Sequence, residues 1–124
     1  MAGTVTISQS IKVTNGDYSF PRYSKNKTIV QDALGGPVPG TVSIGTSEED
    51  VDLSELTTEG WIYLENLDDA NFIQWGAKDG SGNMQEIGRL EAGESAQFRM
   101  EPGATLRMKA DTAACQVLIL CFED

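Results

Sequence analysis

Trp61-Ile62-Tyr63-Leu64-Glu65-Asn66, followed after the polar loop Leu67 to Ala70 by Asn71-Phe72-Ile73-Gln74-Trp75-Gly76, sets the fold class. Aromatic and branched residues crowd both alternating positions of each segment, so both read as strands, and the short loop between them predicts adjacent antiparallel neighbours. Downstream, Lys78 to Asn83 is a turn by composition, Met84 to Leu90 a strand, Glu91 to Glu94 a turn and Ser95 to Met100 a strand. Glu101-Pro102-Gly103-Ala104 is expected to close a hairpin into Thr105 to Ala110. Short strands with turns every 8 to 12 residues, roughly, are the pattern of an antiparallel sandwich or barrel. No segment sustains an apolar period of 3.6. The expectation is an all-β chain, one antiparallel β-sandwich domain over residues 1–124, jelly-roll-like or immunoglobulin-like.

Toward the N-terminus the period of two is cleaner. Val5, Ile7, Ile11 and Val13 take odd positions against Thr4, Thr6, Ser8, Ser10 and Lys12, which predicts a half-buried strand. Asn15-Gly16-Asp17 tolerates positive φ and turns the chain back through Tyr18 and Phe20, with Pro21 expected to stop the ladder. Residues 24–34 hold one short candidate strand around Thr28 to Gln31. Gly35-Gly36-Pro37-Val38-Pro39-Gly40 is expected to carry no regular structure, and Thr41 to Gly45 reads as a short strand, so 32–58 is loop-rich. In the acidic run Glu48 to Leu56, Val51, Leu53 and Leu56 fit a strand or loop, while Ser47 would cap one helical turn instead. Its acids read as a solvated surface or as a face for a cationic partner or a cation.

The last strand, Cys115 to Phe122, is apolar on both faces: Cys115, Val117, Ile119 and Cys121 on one, Leu118, Leu120 and Phe122 on the other. A sandwich strand buries one face, so the second needs a cover, either the 32–58 segment or a neighbouring subunit. Along one strand the two cysteines stand roughly 20 Å apart, beyond the ~7 Å Cα limit for a disulfide. They are expected as reduced, buried thiols acting as small hydrophobes, with an intersubunit disulfide or a reactive thiol as the alternative.

Composition narrows the chemistry. In 124 residues, nineteen Asp and Glu against nine Lys and Arg give a net charge of −10, which repels nucleic acid phosphates and anionic lipid alike. There is no histidine, so the commonest general base and metal ligand is missing from the chain. Val117 to Phe122 is too short to span a bilayer, and Met1 to Ser10 has neither a basic start nor an apolar core, so the chain is expected to lack a signal peptide and to begin near Met1. Asp79-Gly80-Ser81-Gly82-Asn83 spaces oxygen donors as a calcium loop does, but Leu90 stands where the twelfth-position acid belongs, and a plain turn is expected. No catalytic residue, cofactor or metal ligand is assigned. Trp61, Tyr63, Phe72 and Trp75 lie on neighbouring expected strands and pack either in the core or as a stacking platform for sugar rings.

Gly60-Trp61-Ile62-Tyr63-Leu64-Glu65-Asn66-Leu67-Asp68, Asn71 to Gly76, Phe98-Arg99-Met100-Glu101-Pro102-Gly103 and Lys109-Ala110-Asp111-Thr112 together resemble the small β-rich virion structural proteins of tailed bacteriophages. The resemblance spans residues 60–124. It implies a non-enzymatic particle component, a head decoration or a neck or tail protein, made in the bacterial host cytoplasm and located in the virion. The expected partners are the chain itself, as a homo-oligomer with a trimer favoured, and a capsid or tail, with neither nucleic acid nor membrane. On the residues, the subunit surfaces are Val5, Ile7, Ile11 and Val13, an N-terminal strand within 1–13 free to pair with a neighbour, and Leu118, Leu120 and Phe122. A glycan- or receptor-binding module built on Trp61, Tyr63, Phe72 and Trp75 is the alternative.

Overall fold

The computed structural model describes residues 3–33 and 35–124. They divide into two compact units, residues 1–34 and residues 35–124. The sandwich expected over 1–124 therefore occupies 35–124, and the N-terminal residues build a separate two-stranded sheet.

In the first unit β1 (Gly3–Asn15) and β2 (Tyr18–Gln31) pair antiparallel along nearly their whole length. Gly16, at φ 57°, opens the two-residue turn as a type II′ hairpin requires. Two sequence expectations fail here. The return strand through Tyr18 and Phe20 and the short strand expected around Thr28 to Gln31 are one continuous strand, and Pro21 does not end the ladder. Ile11 faces Tyr23 and Val13 faces Phe20, so Pro21 and Arg22 together oppose Lys12 in a β-bulge, where a residue without an N–H is tolerated. The register sorts side chains cleanly. Val5 with Ile29, Ile11 with Tyr23, Val13 with Phe20 and Asn15 with Tyr18 share one face, together with Ile7, Lys27 and Lys25; Thr6 with Thr28, Ser8 with Asn26 and Ser10 with Ser24 share the other. Ile7 is buried, but residues 8–28 are all exposed.

The second unit contains β3 (Val38–Ile44), β4 (Glu49–Asp50), β5 (Glu59–Asn66), β6 (Ile73–Lys78), β7 (Met84–Leu90), β8 (Ser95–Arg99), β9 (Leu106–Ala110) and β10 (Cys115–Glu123). They form two four-stranded antiparallel sheets, β3-β10-β5-β8 and β4-β9-β6-β7. Numbered within the sandwich the orders are 1-8-3-6 and 2-7-4-5, the double Greek key of a jelly roll. β5 and β6, expected as neighbours, lie in opposite sheets, and the turn at 101–104 carries the chain between sheets instead of closing a hairpin. Strand structure also extends into Val38-Pro39-Gly40, because β3 is an edge strand and an edge tolerates proline.

One hydrophobic core fills the space between the sheets. Ile62 and Leu64 from β5 and Cys115, Val117, Ile119 and Cys121 from β10 meet Ile73 from β6 and Met108 and Ala110 from β9. Val51, Leu53 and Leu56 join the same core from the irregular stretch after β4, so that acidic run is a loop with apolar anchors. Between the sheets the Trp75 and Phe98 rings stack, centroids 4.9 Å apart. The indole fits because residue 88 has no side chain: a Cβ there would lie 2.6 Å from the Trp75 ring. Gly88→Ala is therefore expected to lower stability by about 1–3 kcal/mol and to shift Trp75 fluorescence, both read in one urea titration followed by emission.

Candidate functional site

The fold separates the four expected aromatics, while Val5, Ile7, Ile11 and Val13 share one face of β1 and Leu118 and Leu120 one face of β10. On the outer face of the β3-β10-β5-β8 sheet, Leu118 lies between Thr41 and Glu65, and Leu120 between Pro39 and Tyr63. Trp61 follows on the same face opposite Arg99, whose guanidinium carbon is 5.9 Å from the indole centroid. Phe122 sits at the register shift between Cys121 and Glu123. Leu118, Leu120, Phe122, Trp61 and Tyr63 are all half-buried. Of the segment expected to cover this face, Pro39 and Thr41 contribute as strand neighbours, while Val51, Leu53 and Leu56 turn into the core.

The four aromatics of the sugar platform are not brought together. Trp61 and Tyr63 share the outer face just described, Phe72 lies under the Arg89 guanidinium at 3.8 Å, and Trp75 is stacked between the sheets. Tyr63 donates its hydroxyl proton to Glu65 at 2.7 Å, and this bond to a carboxylate pushes the phenol up from its ordinary value. The second expected surface, Val5 to Val13, lies along β1; of it, Ile11 and Val13 are exposed, and β2 adds Tyr18, Phe20 and Tyr23 beside them.

Acidic side chains are mostly engaged with their own turns. Asp79 Oδ1 accepts the N–H groups of Ser81 and Asn83 and its Oδ2 the amide of Gln85, which holds the carboxyl below its ordinary value. The turn expected at 79–83 thus takes up the oxygens that a cation would need. Asp68 accepts from Asn71 and Ala70 and is lowered likewise. Asp52 is lowered by Ser54. In the acidic run the cation is internal: Arg107 donates to the Glu48 and Gly82 carbonyls and pairs with Asp50 at 3.2 Å, while Lys78 reaches Asp50 at 3.3 Å. Among the described residues no cluster of three Cys, Asp or Glu is arranged to hold a metal ion, and no helix is long and apolar enough to cross a membrane.

Three features escaped the sequence reading. Asn66 is a fully buried polar residue whose Nδ2 donates to the carbonyls of Asn71 and Leu90 and whose Oδ1 accepts from Asp68. Nothing marks it in the sequence beyond its place at a strand end. Ile87 is the extra residue of a bulge in β7 and is 69% exposed; its lone apolar character among Gln85, Glu86 and Arg89 was the legible clue. Beside it an apolar cleft of about 310 Å³ opens between β7 and β8.

No family model, curated protein or solved structure matches the chain.

Two expected outcomes follow from these contacts. Asn66→Ala removes the side-chain partner of the buried Leu90 carbonyl and of the part-buried Asn71 carbonyl and Asp68 N–H, and is expected to cost about 1–3 kcal/mol, measured by urea unfolding. Both cysteines are free and buried, and burial pushes Cys115 up and Cys121 up to about 11. At mildly alkaline pH neither thiol is expected to react with an aromatic disulfide reagent until the protein is unfolded, when two equivalents should appear.

Proposed function

We propose that this chain is a non-enzymatic structural component of a phage particle, most simply a capsid decoration or stabilising protein that self-associates on the particle surface. A place at the neck or on the tail is the same reading at another location. The observation that carries it is the hairpin: fourteen residues of β2 against thirteen of β1, one face apolar and exposed from Ile11 to Tyr23. A two-stranded sheet alone in water is marginally stable, and an amphipathic one gains its stability by laying the apolar face on something else. A rigid sandwich carrying such an element suits repeated docking, where symmetry multiplies modest contacts.

Jelly rolls occur both in viral capsid proteins and in lectins, so the architecture does not choose between particle and glycan. Distribution of the aromatics favours the particle, because only Trp61 and Tyr63 remain together as a platform. The net charge of −10 supports docking on protein in preference to nucleic acid.

The test uses tailed-phage particles that lack the chain, incubated with the purified protein. Saturable co-sedimentation with heads and a higher temperature of genome release are expected, both lost in an Ile11→Ser, Tyr23→Ser double variant. Binding to tails alone would move the protein to the neck or tail. Failure to bind heads or tails, with a glycan array bound through the Trp61 and Tyr63 face, would overturn the proposal.

A further inference from the structure

The exposed apolar residues are distributed unevenly. Among the described residues, the large hydrophobics that stand exposed are Ile11, Val13, Tyr18, Phe20, Tyr23 and Val30 on the hairpin, and only Leu67 and Ile87 on the sandwich. All but Val30 of the hairpin set lie on the face defined by the Ile11–Tyr23 pairing. On the sandwich, Ile87 stands at the rim of the apolar cleft, whose walls are Trp75, Phe98, Met100 and Leu106, with Glu101 at its border. The cleft opens where β8, an edge of one sheet, passes β7, an edge of the other. Each of these strands is thus the last of its sheet, beside an apolar slot.

Charge is segregated in the same way. Residues 1–34 hold four Lys and Arg against two Asp and Glu, a net +2; residues 35–124 hold five against seventeen, a net −12, and the two together give the chain's −10. Lys25 and Lys27 lie on the apolar face of the hairpin itself. That face carries no carboxylate, so a second hairpin would offer it only further lysines, whereas the sandwich offers Glu101 at the cleft and a net −12 around it. Opposite charge across the contact fixes orientation, while apolar contact supplies the affinity.

Resting on the reading of the hairpin as an assembly element, we infer that the hairpin of one copy docks, by the face carrying Ile11, Phe20 and Tyr23, into the cleft between β7 and β8 of a second copy. The occupant of the cleft is thus another molecule of this chain, with Lys25 and Lys27 set against the acidic sandwich. Extended segments that add to a free sheet edge while placing alternate side chains in a pocket are a common recognition mode, and the alternation of the hairpin provides those side chains.

Solution mass across a protein concentration series, by light scattering, tests this on the full chain. Two variants are compared with the parent: Phe20→Ser with Tyr23→Ser, which strips the hairpin, and Ile87→Glu, which blocks the cleft. All three positions are exposed, so unchanged circular dichroism and unfolding midpoint serve as the folding control. The parent is expected to associate to at least two chains, and each variant alone to fall to the mass of one chain. Mixing the two variants should restore association, because an intact hairpin then meets an intact cleft. A parent of single-chain mass at every concentration, variants that keep the parent's mass, or a mixture that stays at one chain would each overturn the inference. Particle binding that survives in the Ile87→Glu variant would leave the proposed function standing while the self-docking failed, so the two are separable.

Discussion

The buried amide of Asn66 holds the jelly roll at its two neighbouring crossings. After β5 the chain leaves one sheet for the other through residues 67–72, and after β7 it returns through residues 91–94. The Asn66 side chain binds both passages, donating to Asn71 and Leu90 and accepting from Asp68, while its backbone exchanges bonds with Gly93 and Glu94. Crossing loops carry backbone polar groups past an apolar core, where water cannot satisfy them. A single side chain with two donors and one strong acceptor meets that need at zero exposure, and the stack of Trp75 on Phe98 closes another part of the space between the same sheets.

Strand identity was legible because it is local. The alternation in Thr4 to Val13, the aromatic and branched run Trp61 to Leu64 and the doubly apolar Cys115 to Phe122 each became a strand, and the turns at 79–83 and 91–94 fell where Gly, Asp and Glu cluster. Sheet membership was not legible. β5 and β6 are joined by a loop short enough for a hairpin, and the bonds that hold it as a crossing, from Asn66 to Asn71 and from Leu67 and Phe72 to distant strands, join residues far apart in sequence or carry no local mark. Proline misled twice, at Pro21 and Pro39, since its missing N–H is harmless at a bulge and on an edge, and neither context can be read from neighbouring residues. The aromatic set failed for a related reason: Trp61 and Trp75 sit in similar local sequence, yet one faces outward and the other inward, as their sheets determine.

Separation of charge and apolar surface between the two units gives the chain a donor part and an acceptor part. The sandwich is closed around its core and strongly acidic, and the hairpin is open, apolar on one side and weakly basic. Each lacks what the other exposes. A chain built this way remains repelled from its own kind over long distances by its net −10 and is drawn together only where a hairpin finds its slot, so association is specific and sensitive to ionic strength.

The bulge at Pro21 and Arg22 has a further role. The polar row of Thr4, Thr6, Ser8, Ser10, Ser24, Asn26 and Thr28 is nearly uniform in size and polarity, and strands of that kind slide past one another at little cost. A slip by one residue would carry Ile11 and Val13 to the opposite face and scramble the docking row. The alignment is set between the tight turn at Gly16-Asp17 and the two-against-one step at Lys12, and Pro21 lies within that step, outside the regular pairing. Proline here acts as a ratchet tooth, fixing the frame of a ribbon whose own side chains would not.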